Sequence, residues 1–218
     1  MEALNHYFQA GGWPVMISIL GTLLVSLALV IERCYRLWMV YDLVNSDGFM
    51  AMVQKMVMNN SIENAIRLCK KARPKLLPHV LAEGLKRSND STQEITNAVD
   101  QAVLTVLPKI TTRVAMLATT ANVATLLGLL GTIFGLMHSF AAVAKATGAQ
   151  KQTLLAEGIS EALNATSFGL SVALFCLFCY GVLQAKQKAI IDDVNKNAAK
   201  LVDLLYTRKM KLKGSKKA

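Results

Sequence analysis

The sequence predicts an all-α membrane protein with three transmembrane helices and long cytoplasmic helical extensions. Three stretches without charged residues, 14–31, 114–144 and 162–185, approach or exceed the roughly 20 apolar residues that a helix needs to cross a bilayer. The chain is 53% hydrophobic and only 17% charged, whereas soluble domains carry about a quarter charged residues. Because lipid offers no water to the backbone, the spanning elements are expected to be helices.

The distribution of positive charge predicts the orientation. Residues 1–32 contain no Lys or Arg, whereas residues 33–113 contain twelve and residues 186–217 contain ten. By the positive-inside rule, the N-terminus is expected to be periplasmic, and the large loop and the C-terminus cytoplasmic. The net charge of +10 therefore predicts contact of the basic tail with anionic lipid headgroups, and no binding of nucleic acid.

The first transmembrane helix is predicted over residues 14–38, after a periplasmic N-terminus of residues 1–13. Trp13 suits the membrane interface, and Pro14 suits the first turn of a helix. Arg33 lies near the predicted cytoplasmic end, where it favours the helix C-terminus.

A cytoplasmic helical domain is predicted over residues 39–112. One helix is expected to begin after Ser61, and prolines delay the next helix to residues 80–87. The turn at residues 88–91 should then precede a long amphipathic helix. Its apolar stripe is predicted to contain Ile95, Val99, Ala102, Val106 and Ile110.

The remaining two spans follow from the other uncharged stretches. The second is predicted over residues 113–144, with a kink near Pro108 where the preceding helix rises toward it. A periplasmic loop is predicted over residues 145–156 and a third span over residues 157–185. Residues 186–218 should form a cytoplasmic helix and a basic tail.

Span two combines small residues with a polar stripe. Gly131 and Gly135 form a G-x-x-x-G pattern, which together with Gly128, and with Gly169 of span three, predicts close helix packing. Polar residues recur on one side of span two, which predicts a hydrated seam. An isolated threonine could instead bond only to its own backbone. The stripe consists of Asn122, Thr125, Thr132 and Ser139.

Span three carries a polar and acidic face. Glu157, Glu161, Asn164 and Ser171 lie on one side of the predicted helix, and Thr166 lies on another. An ionisable residue at a membrane helix is a functional candidate by default. The alternative for Glu161 is simple contact with the outer headgroup region.

Other chemistry is sparse. The interiors of the spans contain no Lys, Asp or Arg, so another chain would have to supply a titrating proton carrier. No zinc ligand set, nucleotide-binding loop or catalytic triad is evident, so neither a metal, a cofactor nor an enzymatic activity is expected. Cys176 and Cys179 form a C-x-x-C pattern within span three, which favours packing over a thiol redox role.

Each of the last two spans contains one extended motif. Span two contains Gly128-Leu-Leu-Gly-Thr-Ile-Phe-Gly-Leu-Met-His-Ser-Phe140, and span three begins with Gly158-Ile-Ser-Glu-Ala-Leu-Asn-Ala-Thr-Ser-Phe-Gly-Leu170. These motifs resemble the second-span and third-span signatures of the MotA/TolQ/ExbB proton channel family, and most closely those of its TolQ and ExbB branch. The three-span layout with a large cytoplasmic loop also matches.

The resemblance implies a homopentamer in the bacterial inner membrane around two copies of a single-span partner like ExbD, TolR or MotB. That partner carries an essential Asp, and ion flow is thought to rotate one set of helices within the other. By motif, Thr132 and Thr166 match hydroxyls that flank this Asp, and Glu161 matches the acidic residue of the third span. Protons are the implied coupling ion.

The sequence also departs from the family. Thr125 stands where the family has a proline before the second-span motif, and residues 172–176 lack another. Asn164 replaces an apolar residue and Ser167 a small one, so the ion pathway gains polar groups and sodium becomes an alternative coupling ion. A different class of function, a non-conducting scaffold that recruits cytoplasmic partners, predicts instead that the polar seam tolerates apolar replacement.

Overall fold

The computed structural model describes residues 13–43, 45–72, 74–148 and 150–215, and over these residues the regular elements are all helices. The predicted all-α fold is therefore confirmed. A six-residue π-helical stretch, Arg36–Tyr41, continues the first helix. The α-helices are α1 Trp13–Tyr35, α2 Ser46–Met58, α3 Ile62–Lys71, α4 Leu76–Lys86, α5 Thr92–Lys145 and α6 Gln150–Ser215.

Three of these helices contain a segment that is long and apolar enough to cross a membrane. The segments lie in α1, α5 and α6, which confirms the predicted number of spans. The chain divides into two compact units. The membrane unit consists of Met1–Arg33 and Arg113–Val182, and the extension unit of Cys34–Thr112 and Leu183–Ala218.

Small side chains fill the interior of the membrane unit. Ala121 and Ala124 of α5 pack with Ala173 and Cys176 of α6, and Ile19 of α1 belongs to the same buried cluster. Small residues allow the helix backbones to approach, which is the main source of packing energy between helices in lipid.

The extension unit has a more conventional apolar core. The predicted stripe of α5, from Ile95 to Ile110, is buried at every one of its positions. Gly84 of α4 lies against α5 and α6, because a Cβ built there would stand 2.6 Å from Val99 and 2.8 Å from Leu201.

The boundaries of two predicted segments differ from those observed. α4 begins at Leu76, earlier than the predicted residue 80. Pro78 lies in its first turn, where the missing N–H has no intrahelical partner to lose. The predicted loop 145–156 is helical from Gln150 onward, and Gly148 takes a left-handed conformation (φ 58°) just before that helix.

Helix α5 contains Pro108 and still forms one continuous element of 54 residues. The Thr112 hydroxyl donates to the Pro108 carbonyl at 2.6 Å. At the start of the helix, Ser91 and Glu94 form a reciprocal capping box, in which the Glu94 N–H donates to the Ser91 hydroxyl at 3.2 Å and the Ser91 N–H donates to the Glu94 carboxylate at 2.7 Å. The hydrogen bonds from Ser91 hold the pKa of Glu94 below its usual value.

Ionic contacts join α2 to α6 within the extension unit. Asp47 lies 3.0 Å from Lys196 and 3.1 Å from Lys200. The hydrogen bond from Lys196, followed by that from Lys200, lowers the pKa of Asp47 below its usual value. Asp42 lies 2.5 Å from Lys186.

The first basic residues of the predicted tail make contacts within the chain. Arg208 donates to the Asn60 side chain at 2.5 Å, and the Lys209 ammonium donates to the Asp90 carbonyl at 2.8 Å. These two cations therefore help to fix turns of the extension unit. Lys216 and Lys217, like the N-terminal residues 1–12, lie outside the described residues.

Candidate ion pathway on the membrane helices

The membrane segments of α5 and α6 meet at backbone distance. A Cβ built on Gly169 would stand 2.8 Å from both the Ala124 carbonyl oxygen and the Cα of Gly128. Real Cβ atoms essentially never approach other atoms so closely, so only glycine permits this contact.

The contact continues along the two helices. A Cβ on Gly131 would stand 2.5 Å from the Cβ of Ala165, and one on Gly135 would stand 3.1 Å from the Cα of Ala162. Together with the pair above, these contacts form a glycine seam, which contains the four glycines that were predicted to pack the helices closely. The seam also sets which residues of α5 and α6 lie at the same depth.

The two threonines lie at neighbouring depths beside this seam. Thr132 follows Gly131, and Thr166 follows Ala165, which is the residue that Gly131 contacts. Both threonines are half-buried. The seam therefore brings together the two hydroxyls that the sequence motifs single out.

Their hydroxyls are engaged in different ways. The Thr132 hydroxyl donates to the carbonyl of Leu129 at 2.6 Å, a bond to its own helix. The Thr166 hydroxyl donates across the seam to the carbonyl of Gly128 at 3.0 Å. Each hydroxyl has used its only proton, but its lone pairs can still accept a hydrogen bond.

The other polar residues of the predicted pathway lie nearer the surface of the unit. Glu161 and Asn164 are half-buried, whereas Thr125 and Ser167 are exposed. Glu161 precedes Ala162 and so lies at the depth of Gly135. Ser171 is exposed, and its hydroxyl donates to the Ser167 carbonyl at 2.8 Å.

Ser139, the last residue of the predicted polar stripe, differs from the others. It is buried, and its hydroxyl donates to the Leu154 carbonyl of α6 at 3.2 Å. A Cβ on Gly158 would collide with the Ser139 side chain. Ser139 thus joins α5 to α6 near one end of the pair and does not share the exposure of Thr125.

An ion pair that the sequence did not indicate lies at the other end of the membrane unit. Arg113, at the start of the span segment of α5, bonds to Glu32 near the end of α1. The two residues are 81 positions apart, so helical periodicity gives no signal for their contact.

Two other features of the span sequences have simpler environments. His138, which lies within the second-span motif, is exposed. Cys176 is buried in the core of the membrane unit and Cys179 is half-buried, and neither of these two cysteines forms a disulfide. Among the residues that the structure describes, no cluster of three or more His, Cys, Asp or Glu side chains could hold a metal ion.

Comparison with known proteins supports this assignment of motifs. Residues 72–196 match the sequence model of the MotA/TolQ/ExbB proton channel family. The chain is 32% identical over 204 residues to the putative biopolymer transport protein ExbB-like 3 of Synechocystis sp., an alignment that covers 92% of this chain and 93% of that protein.

Two further relatives align over shorter regions. The chain is 43% identical over 83 residues to the Tol-Pal system protein TolQ of Haemophilus influenzae, which covers 37% of this chain and 35% of that protein. It is 38% identical over 106 residues to the biopolymer transport protein ExbB of Pseudomonas putida, which covers 47% of this chain and 31% of that protein. The family model spans more than half of the chain and the Synechocystis protein aligns over nearly its whole length, so this chain belongs to the MotA/TolQ/ExbB proton channel family.

Proposed function

We propose that this chain is the channel subunit of an inner-membrane motor that converts the proton motive force into mechanical work. In this proposal five copies surround two copies of a single-span partner like ExbD, TolR or MotB, which carries a membrane Asp. The N-terminus is periplasmic and the C-terminus cytoplasmic, as the distribution of Lys and Arg favours.

The observation that carries the proposal is the position of the polar residues on the two span helices. Thr125, Ser167 and Ser171 occupy exposed positions of the membrane unit, and Glu161 and Asn164 are half-buried. Polar groups that face hydrocarbon are costly. These positions are therefore expected to face water or other protein chains when the chain is in a membrane.

The chemistry of these polar positions suits a carboxylate supplied by a neighbouring protein chain. The span interiors contain no Lys, Asp or Arg, so they offer a carboxyl group hydrogen-bond partners without a fixed opposite charge. The proton affinity of such a carboxyl depends on the groups that surround it. Movement of the partner helix past Thr132, Thr166 and Glu161 would then couple protonation to position, with protons as the coupling ion.

A matched pair of serines tests the proposal. Ser171 of α6 and Ser18 of α1 are both exposed, and each donates to the carbonyl four residues earlier at 2.8 Å. The two hydroxyls differ in their surroundings, because only Ser171 shares a face with Glu161 and Asn164. We expect Ser171→Leu to reduce partner-dependent proton flux into proteoliposomes several-fold and Ser18→Leu to leave it unchanged.

The same measurement separates a channel from a non-conducting scaffold. A scaffold predicts no partner-dependent flux in the unaltered protein and no effect of Ser171→Leu on partner recruitment or on the energised process. Equal proton flux for the two leucine variants would refute the proposed role of the polar face of α6 in proton flux. Replacing sodium with potassium on both sides of the membrane distinguishes proton from sodium coupling.

A further inference from the structure

Most charged side chains of the extension unit already have partners within the chain. Lys75, Arg208 and Lys209 donate to uncharged oxygens at 2.5–2.8 Å, and Glu94 caps α5. Ion pairs of this unit include Lys86 with Glu83, Arg87 with Asp90, Lys186 with Asp42, and Lys196 and Lys200 with Asp47.

Two of the carboxylates without an ion pair line one groove. Among the described residues, neither Asp100 of α5 nor Asp203 of α6 forms an ion pair, and both are exposed. They line a groove of about 880 Å³ between these helices, whose lining includes no Lys or Arg. The groove also contains Leu104 and Tyr206, which are 66% and 46% exposed. An apolar groove with an unpaired acidic rim fits a partner surface that carries basic residues.

Three cations without an ion pair lie together on α3. Arg67, Lys70 and Lys71 are exposed, and no ion pair to any of them occurs within the described part of the chain. The opposite side of the helix, which includes Ala65 and Cys69, is fully buried. Their position in the last turns also suits the helix dipole, but this leaves their side chains free to bind an external anion.

One copy of the chain cannot join these two surfaces. α3 packs against α4, and α4 in turn packs through Gly84 against Val99 and Leu201 of the groove helices. α4 therefore lies between the basic face of α3 and the helices of the acidic groove.

The two surfaces nevertheless lie at a similar height along the helices. Asp100 and Asp203 are one and two residues from Val99 and Leu201, which mark the height of Gly84. α3 and α4 flank the short connection of residues 72–75, so Arg67 lies opposite the part of α4 about four residues before Gly84. At 1.5 Å per residue, the difference in height is about 6 Å.

We propose that the basic face of α3 in one copy docks on the α5–α6 groove of the next copy, with Arg67, Lys70 and Lys71 facing Asp100 and Asp203. Such a head-to-tail contact uses two different surfaces of each copy. Because the two surfaces lie at a similar height, the contact can repeat with little rise from copy to copy, which a closed ring requires and a climbing filament does not. The inference rests on the homo-oligomer of the proposed function and assigns its contact surface.

Cross-linking of the full-length protein in membranes tests the contact directly. Arg67→Cys and Asp203→Cys are combined in a background with Cys34→Ser and Cys179→Ser, and a short bis-maleimide is added. Cys69 needs no replacement, because it is buried and burial raises the pKa of its thiol to about 11. We expect a ladder of covalent oligomers on denaturing gels and monomers from either single-cysteine variant.

Charge reversal tests whether the charges form the contact. For this test the cross-link is formed between Arg67→Cys and Asp100→Cys. Lys70→Glu and Asp203→Lys should each lower the cross-linked fraction by about fivefold at low salt. The combined reversal should restore it to within about twofold of the unaltered charges. Lys188→Glu, which makes the same change in net charge at an exposed residue outside both surfaces, should have no such effect.

The possible outcomes are distinct. A homo-oligomer on native gels without the Arg67–Asp203 cross-link overturns this contact and leaves the proposed assembly intact. The absence of any homo-oligomer overturns both. In a third outcome, Lys70→Glu abolishes binding to vesicles that contain anionic lipid, and no cross-link to Asp203 forms. That outcome assigns the α3 surface to lipid headgroups and also overturns the proposal.

Discussion

Replacement of Gly169 with alanine should destabilise the membrane unit, although alanine is the better helix former. The new Cβ would stand 2.8 Å from the Cα of Gly128 and from the Ala124 carbonyl. To reach an ordinary contact of about 3.5 Å, α5 and α6 must separate by about 0.7 Å. The hydrogen bond from Thr166 to the Gly128 carbonyl, now 3.0 Å long, would lengthen to about 3.7 Å and no longer count as one.

The size of the effect follows from these two losses. Overpacking of a tight contact costs about 1–3 kcal/mol, and an interhelical hydrogen bond in a membrane contributes about 0.6 kcal/mol. Gly181→Ala is the matched control, because it lies on the same helix and a Cβ there meets no atom within 4 Å. The two variants should therefore differ by about 2–4 kcal/mol, since the gain in helix propensity is common to both.

Thermal unfolding in detergent, followed by tryptophan fluorescence or by loss of the monodisperse peak, measures this difference. For a chain of this size, it corresponds to a melting temperature about 5–10 °C lower for Gly169→Ala than for Gly181→Ala. In a Thr166→Val background, Gly169→Ala should cost less, because the shared hydrogen bond is already absent. Equal melting temperatures for the two alanine variants would refute the close approach of α5 and α6.

Three further results are expected outside the membrane unit. Ser91→Ala should destabilise the extension unit by about 1 kcal/mol in chemical denaturation, because it removes the α5 cap. Ser61→Ala should change the free energy of unfolding by only a few tenths of a kcal/mol, because the Ser61 hydroxyl donates to a loop carbonyl and makes no capping bond to α3. Equal effects of the two variants would contradict the capping box. Asp47→Asn should lower the melting temperature at neutral pH, and this difference should shrink as the pH is lowered below 3.8. Lysine partners hold the pKa of Asp47 below that usual value, so its stabilisation is present above 3.8 and is lost as the pH falls through the folded-state pKa; a pH-independent difference would exclude the ionic contact. Maleimide at pH 7 should label the exposed Cys34 and should not label Cys69, whose pKa is raised to about 11 by burial. Both cysteines should be labelled in denaturant, which is the control. Labelling of Cys69 in the native protein would contradict its burial.

The sequence was most informative where a single helix faces one environment. The stripe from Ile95 to Ile110 has a helical period because one side of α5 packs against the core of the extension unit, and its burial follows from that period. The number of spans follows from three uncharged stretches for a similar reason. Both predictions depend only on local composition.

The sequence was less informative about where helices begin and end. Charged residues mark the edges of the hydrocarbon, but a helix does not stop there, so α6 begins at Gln150, seven residues before the predicted start of the third span. Proline usually breaks a helix, so Pro78 suggested that no helix could include it. Pro78 instead lies in the first turn of α4, where the backbone N–H that proline lacks would have no partner within the helix.

Contacts between distant residues could not be predicted from periodicity. The motif identified Thr166, but its acceptor, the Gly128 carbonyl, depends on the register between α5 and α6. Ser139 likewise shares the helical face of Thr125, yet it is buried because Gly158 of α6 lies against it. The pair Arg113 and Glu32 depends on the relative position of α1 and α5.

The hydrogen bonds of the two threonines bear on how a partner carboxyl would be controlled in the proposed motor. In the observed arrangement, Thr132 and Thr166 have donated their protons to the carbonyls of Leu129 and Gly128, so they can only accept a further bond. An acceptor stabilises a protonated carboxyl and disfavours a carboxylate, which raises the carboxyl's proton affinity. Rotation of the Thr166 hydroxyl away from Gly128 would present a donor instead and lower that affinity. In the proposed motor, these two orientations of the Thr166 hydroxyl would have opposite effects on the partner's proton, which is the property that coupling of proton transfer to helix movement requires.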